Sequence, residues 1–158
     1  MVRLNNMRLE RIIFNMEDNL RILDHTLKRI TEFSDEMDVM MAKSSFRNGI
    51  VSIFTCAEDY LGMALKKVGT GIGERTFREC VNRCYGENLL PDYYKDFLLK
   101  NVKVRNASTH SYDVPSTEDL IEIYRDNRLL LFNFLDYLRS LNKDIRFKNS
   151  IKDSNLFK

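Results

Sequence analysis

The clearest pattern in the chain is a row of apolar residues that recur at alternating steps of four and three between residues 9 and 30. This spacing places the apolar side chains on one face of an α-helix, with charged residues on its other faces. A coiled-coil seam and a bundle helix share the pattern. We favour a bundle because later segments carry matching rows. The row consists of Leu9, Ile13, Met16, Leu20, Leu23, Leu27 and Ile30.

A second helix is predicted from about Glu36 to Lys67, with Ser34-Asp35 as the break and N-cap in front of it. Residues 68–73, which include three glycines, are expected to end this helix. Because no strand precedes these glycines and their spacing differs from that of a dinucleotide-binding loop, we interpret them as a connection between helices. The apolar row of the second helix is Ile50, Phe54, Ala57, Leu61, Ala64 or Leu65, and Val68.

Three further helices are predicted towards the C-terminus. A short third helix covers about residues 74–85 and leads to a turn at 86–88. The fourth helix starts around Leu90, with Pro91 in its first turn, and continues until Pro115 ends it near Asp113. Ser116 or Thr117 is suited to cap the fifth helix. The apolar row of that helix is Leu120, Tyr124, Asn127, Leu131, Phe134, Leu138 and Leu141, with Asn127 as its polar member.

These patterns predict an all-α fold, an antiparallel up-and-down bundle of about five helices, because no segment alternates with the period of a β-strand. The length of 158 residues suits one domain, which we place at residues 1–142. Residues 143–158 are expected to form a polar, basic and flexible tail. Because the tail carries a net charge of +3 and the whole chain +2, the body is near −1 and is not a generally basic nucleic-acid-binding surface.

Sequence features also indicate which cellular compartment and which cofactors to expect. Residues 1–19 lack the hydrophobic core of a signal peptide, and the apolar cluster at 129–135 is too short to cross a bilayer, so we expect a cytoplasmic protein without membrane association. An odd number of cysteines argues against a disulfide framework. Cys80 and Cys84, one helical turn apart, are interpreted as buried small hydrophobes rather than as half of a metal or redox site. We therefore predict no metal and no cofactor.

The candidate chemistry lies in the string Arg105-Asn106-Ala107-Ser108-Thr109-His110-Ser111-Tyr112. Cleavage of RNA without a metal requires a base for the 2′-hydroxyl, an acid for the leaving oxygen and positive charge beside the phosphate. Histidine can serve as the acid or the base, arginine binds phosphate bidentately, and asparagine can orient either group. A structural role for one arginine and one histidine near a helix end remains the alternative. The other histidine, His25, is interpreted as a solvated or half-buried residue of the first helix.

The spacing within the string bears on whether one chain completes this site. On an ideal helix Arg105 and His110 point about 140° apart, whereas Asn106 and His110 share a face. Arg105 and His110 would still flank a groove if the helix ends or distorts between them. One chain also supplies only one suitable histidine. We therefore expect a homodimer, with contacts near the fourth helix, in which two Arg–His sets meet and supply both the acid and the base.

The string is similar to the R-x4-H-x-Y motif of HEPN proteins of the HepT and nucleotidyltransferase-substrate-binding types. The resemblance covers roughly residues 45–141 and includes the regions around Phe46-Arg47, Cys56-Ala57-Glu58 and Leu90-Pro91. It implies a small helical bundle with the motif late in its fourth helix. It also implies that Arg105 and His110 are the catalytic pair of a metal-independent endoribonuclease and that Asn106 supports them.

The resemblance further implies a ribonuclease toxin of a type II or type VII-like toxin–antitoxin module, with RNA as substrate and a cognate MNT-type nucleotidyltransferase as antitoxin. Tyr112 matches the tyrosine that such a partner modifies with AMP, while packing on the bundle is its alternative role. Arg47 and Glu58 match positions where the family often has polar residues facing the motif helix, and a surface salt bridge is their alternative role. The polar Ser108-Thr109 step resembles the substrate-binding branch. The second hypothesis is therefore a non-catalytic substrate-binding or adaptor subunit of a nucleotidyltransferase.

Overall fold

The computed structural model describes the backbone of residues 6–32, 34–69, 76–106 and 115–156, and the side chains within these ranges up to residue 143. These residues form an all-α helical bundle, as the sequence predicts, and contain no strand. None of the described helices has both the length and the apolar character of a membrane span. The helices are α1 (Asn6–Glu32), α2 (Glu36–Lys67), α3 (Phe77–Gly86), α4 (Asp92–Lys100), α5 (Val102–Asn106) and α6 (Thr117–Leu156).

Helices α1 and α2 pack against each other as an antiparallel hairpin. Asp35 is the N-cap of α2, because its carboxylate accepts hydrogen bonds from the backbone N–H groups of Met37 (2.9 Å) and Asp38 (3.1 Å). The two helices approach closely at Gly49, where an added Cβ would lie 3.1 Å from the Leu23 side chain. The predicted bounds and cap of α2 are confirmed.

Helix α2 is the central element of the bundle, and α1, α3, α5 and α6 all pack against it. Its predicted apolar row is buried apart from Val68, which is only partly buried. Residues outside that row are buried as well, because a helix covered by several neighbours needs apolar side chains on more than one face. The additional buried positions include Ile53, Cys56, Tyr60 and Met63.

An aromatic cluster connects α2, α4 and α6 in the core. The ring of Tyr94 stacks on that of Phe134, with centroids 3.5 Å apart, and Tyr60 meets Phe134 edge-on at 5.6 Å. The Tyr60 hydroxyl donates a hydrogen bond to the carbonyl of Leu89. Burial raises the pKa of Tyr60 and of Tyr94 far above the ordinary value, so both phenols stay protonated.

Helix α3 begins later than the predicted residue 74. Its start is fixed by a capping box in which the Thr76 hydroxyl accepts from the backbone N–H of Glu79 (3.2 Å). The Glu79 carboxylate in turn accepts from the backbone N–H of Thr76 (3.4 Å). The first helical residue is therefore Phe77, and Glu74 lies outside the described residues.

The prediction of one continuous fourth helix is wrong at Asn101. Helix α4 ends at Lys100, and the short, separate helix α5 begins at Val102. The buried Asn101 side chain donates to the carbonyl of Phe97 (2.9 Å), a local bond that competes with regular helix bonding. Pro91 occupies the N-cap position rather than the first turn. The remainder of the predicted helix, residues 107–113, lies outside the described residues.

Helix α6 begins where the sequence predicts and extends further than expected. The Ser116 hydroxyl caps it by accepting from the backbone N–H of Asp119 (3.1 Å). The helix runs to Leu156, so the backbone is helical beyond the domain boundary predicted at residue 142. The flexibility of the tail stays a prediction.

An ionic cluster joins α1 to α6. Arg128 binds Asp24 bidentately, with Nε 2.9 Å from Oδ1 and Nη2 2.7 Å from Oδ2. The Tyr124 hydroxyl donates a further hydrogen bond to Oδ1 of Asp24. These contacts fix the register between α1 and the first half of α6.

We expect Asp24→Asn to lower the free energy of unfolding at neutral pH but not in strong acid. The bonds from Arg128, together with that from Tyr124, outweigh desolvation and hold the pKa of Asp24 below its ordinary value of 3.8. A carboxylate whose pKa is lowered in the folded state stabilises the fold at pH values above its unfolded-state pKa. This stabilisation is lost as the pH falls through the folded-state pKa. Urea unfolding between pH 7 and pH 2 should show the difference from wild type shrinking below about pH 4.

The matched control is Asp126→Asn, because Asp126 is exposed on the same helix as Arg128. Its stability difference from wild type should be small at every pH. An Asp24→Asn difference that stays constant down to pH 2 would contradict the assigned role of this carboxylate.

Candidate functional site

Arg105 lies at the end of α5, immediately before the segment that contains His110. Its Nε donates to Oε1 of Glu58, and its Nη1 donates to Oδ1 of Asn106 at 3.1 Å. The centre of the guanidinium group lies 5.5 Å from the centroid of the Phe77 ring. A third of the side chain, 33%, remains exposed. The guanidinium group is thus held in one orientation while solvent still reaches it.

Glu58 supplies the main contact that orients Arg105. It lies in the C-terminal third of α2 and is itself 39% exposed, so the ion pair is at the surface rather than in the core. Surface ion pairs contribute little to stability, about 0–1 kcal/mol. We therefore interpret this pair mainly as a contact that positions the guanidinium group.

Phe77 is a site residue that the sequence analysis missed. It is the first residue of α3, and the capping box at Thr76 places it against the bundle. Its ring limits the volume that the guanidinium group of Arg105 can occupy. The sequence signal for its position was the Thr-x-x-Glu pattern from Thr76 to Glu79, which marks a helix start.

Arg47 does not lie beside Arg105. Its Nη1 donates to the carbonyl of Pro115 and to the Thr117 hydroxyl, each at 3.1 Å. Arg47 and Glu58 are eleven residues apart on α2, so they share a face but are separated by about 16 Å along the helix axis. The structure brings Glu58 to Arg105 and places Arg47 at the start of α6.

These contacts anchor both ends of the segment that carries the motif. Before it, Arg105 is bound by Glu58, and after it, Pro115 is bound by Arg47. Both anchoring residues belong to one face of α2, so residues 107–114 connect two points on the same side of the bundle. His110 and Tyr112 fall within this segment and lie outside the described residues, as does the Ser108-Thr109 step.

A groove of about 350 Å³ lies between α4–α5 and α6 and is bounded in part by Pro115. Lys100 and Lys103 contribute basic groups to one wall. The α6 wall is acidic, and its acidic residues are Asp119, Glu122 and Asp126.

The other residues considered in the sequence analysis are His25 and the three cysteines. His25 is exposed on α1, as predicted. Cys56, Cys80 and Cys84 are buried thiols, and burial raises the pKa of Cys56 to about 11. Within the described ranges, no group of three or more His, Cys, Asp and Glu side chains is arranged to hold a metal ion.

Comparison with known proteins finds no match, whether among family models, curated proteins or solved structures. The functional interpretation therefore depends on the motif in the sequence and on the contacts of Arg105, Asn106, Glu58 and Arg47.

Proposed function

We propose that this protein is a HEPN-like, metal-independent endoribonuclease that acts as the toxin of a toxin–antitoxin module. The observation that supports this most is the position of Arg105. Its guanidinium group is bound by Glu58 and Asn106, is partly exposed, and stands directly before the segment with His110. A cation fixed in this way requires little reorganisation when it stabilises negative charge in a transition state.

The two catalytic residues have complementary roles in this proposal. Arg105 binds the scissile phosphate and stabilises the charge that develops on its non-bridging oxygens. His110 exchanges a proton with the attacking 2′-hydroxyl or with the leaving 5′-oxygen. Asn106, which already accepts a hydrogen bond from Arg105, keeps the guanidinium group aligned with the phosphate.

A homodimer supplies the second histidine that the reaction requires. Each chain has one histidine in the motif, and His25 is on a different element, α1. A two-fold axis near the motif segment brings two Arg105–His110 sets together, so that one histidine acts as the base and the other as the acid.

Tyr112 provides the control point in this proposal. In the sequence it falls between His110 and Pro115, whose carbonyl Arg47 binds. Transfer of AMP to its hydroxyl by a cognate MNT-type nucleotidyltransferase adds bulk and a negative phosphate close to Arg105. The modified chain would then repel the RNA phosphate from the site.

The second candidate function is a non-catalytic substrate-binding or adaptor subunit of a nucleotidyltransferase. The acidic wall of the groove beside Pro115 favours it, because Asp119, Glu122 and Asp126 oppose the approach of an RNA backbone from that side. Such a subunit binds its nucleotidyltransferase stably and cleaves no RNA at any concentration.

The test is RNA cleavage by the purified chain in the presence of EDTA, with the oligomeric state of the same samples measured by light scattering. We expect cleavage to persist in EDTA and to leave 2′,3′-cyclic phosphate ends, because the proposed reaction uses no metal. We also expect the specific activity to fall on dilution as the dimer dissociates. The absence of cleavage by the dimer, or cleavage that EDTA abolishes, contradicts the ribonuclease proposal.

A further inference from the structure

Three of the large apolar side chains that remain exposed lie on one face of α1. Met7 is 79% exposed, Phe14 is 63% exposed and Ile22 is 43% exposed. Arg11 and Asp18 lie between them, so the order along this α1 face is apolar, basic, apolar, acidic and apolar. Since each residue of a helix turns the chain by about 100°, all five side chains project within about 80° of one another. Exposed apolar residues grouped in this way are characteristic of interaction surfaces.

The two charged residues of the α1 face have no partner within the part of the chain that the structure describes. There the side chains of Arg11 and Asp18 form neither a hydrogen bond nor an ion pair. Arg21, which lies one turn after Asp18, pairs with Glu17 instead (3.3 Å). Asp59 borders the same recess as Arg11 but forms no ion pair with it. The charges of Arg11 and Asp18 are therefore open to an intermolecular contact.

The five residues of the α1 face are arranged symmetrically along the helix. The midpoint between Arg11 and Asp18 and the midpoint between Met7 and Ile22 both fall between residues 14 and 15, next to Phe14. When two such helices pack antiparallel about a two-fold axis at this midpoint, Arg11 of each copy faces Asp18 of the other. Met7 of each copy likewise faces Ile22 of the other. The face is thus complementary to itself in both charge and apolar character.

We infer that the α1 face pairs with the same face of a second copy of the chain. In this contact the two Phe14 rings meet at the two-fold axis. An ion pair between Arg11 of one copy and Asp18 of the other lies on each side of the rings, about 5 Å along the helix from the axis. The contacts between Met7 and Ile22 lie about 11 Å from the axis and form the two ends of the interface.

The symmetry of the pattern favours a second copy over other occupants. A helix of unrelated sequence gains nothing from the shared midpoint, because the midpoint matters only when the two faces are identical. A nucleic-acid backbone is repelled by Asp18, which lies one turn from Phe14 near the centre of the face. The inference goes beyond the ribonuclease proposal and does not depend on it, because it concerns α1 rather than the motif segment.

The first experiment measures self-association of the full chain by sedimentation equilibrium. Arg11→Asp and Asp18→Arg each place like charges at both symmetric contacts, so each should raise the dissociation constant between copies at least about tenfold. Phe14→Ser should have a similar effect, because it removes the apolar contact at the centre of the interface. A wild type that does not self-associate, or variants that associate as tightly as the wild type, would overturn the inference.

Mixing the two charge variants tests the two-fold register. In a pair of one Arg11→Asp chain and one Asp18→Arg chain, both contacts again join opposite charges. The mixture should therefore associate at least about tenfold more tightly than either variant alone. A fluorescent label on one variant allows its mass to be followed in an excess of the other. If the mixture associates no more tightly than the separate variants, the register is wrong and the inference fails.

Two changes on α6 are the matched controls. Arg125 and Leu129 are both exposed on that helix, so Arg125→Asp and Leu129→Ser should associate as the wild type does. If they weaken association as much as the α1 changes, the contact is not on α1 and the inference fails. A contact near the motif segment, which the composite ribonuclease site requires, contributes equally to every sample. Circular dichroism verifies that each variant remains helical.

Discussion

Replacing His110 or Arg105 with alanine should reduce RNA cleavage by a factor of about 10² to 10⁴ and leave the helical bundle folded. In the proposed mechanism, His110→Ala removes the group that transfers the proton. In the same mechanism, Arg105→Ala removes the phosphate-binding cation that Glu58 and Asn106 hold in place. Initial rates on a labelled RNA, measured at equal protein concentrations, provide the comparison.

The controls separate catalysis from folding. Arg125→Ala also removes an exposed arginine, but from α6, and should cleave at the wild-type rate. Arg105→Lys keeps the positive charge but loses the bidentate geometry, so it should recover only a small part of the activity. Near wild-type cleavage by either alanine variant would contradict the assignment of that residue.

Phe134→Ala should lower the free energy of unfolding by about 3–5 kcal/mol. The side chain is 1% exposed and lies at the centre of the aromatic cluster, stacked on Tyr94 and in edge contact with Tyr60. Its removal leaves a cavity between α2, α4 and α6. The rigid rings of the two tyrosines cannot fill that cavity without changing rotamer.

Urea unfolding followed by circular dichroism measures this loss, with Leu129→Ala as the control. Leu129 belongs to the same helix but is 74% exposed, so its replacement should change the free energy of unfolding by no more than about 0.5 kcal/mol. A loss of less than about 1 kcal/mol for Phe134→Ala would show that the aromatic cluster is not a central part of the core.

The helix boundaries that the sequence predicts well are those marked by strong local signals. The bounds of α2 follow from Asp35, whose short carboxylate caps the first turn, and from the glycine-containing segment after Lys67. The start of α6 follows from Ser116 after a proline. Local hydrogen bonds and backbone preferences determine such features, so they can be read from neighbouring residues.

Features that depend on the tertiary environment were predicted less well. The apolar row of α1 is displaced, since Ile12 and Thr26 are buried whereas Ile13 and Leu27 are only partly buried. The interruption at Asn101 also escaped the sequence analysis, because asparagine is only a moderate helix breaker until its side chain is buried and bonds to Phe97.

The candidate site also combines features that neighbouring residues predict with features that depend on the tertiary structure. The motif identified Arg105 and Asn106 as candidate site residues. In the structure their side chains are joined by a hydrogen bond. The contact between Arg105 and Glu58 joins residues 47 positions apart, and no local pattern fixes such a pairing. The resemblance suggested a similar position for Arg47, which instead binds the start of α6 because it lies three turns away from Glu58.

Growth of cells that express the wild-type chain or His110→Ala at equal protein levels tests the central claim most directly. If the chain is a ribonuclease toxin that uses His110, the wild type arrests growth and the His110→Ala variant does not. Equal arrest by both proteins, or normal growth with both, would contradict it.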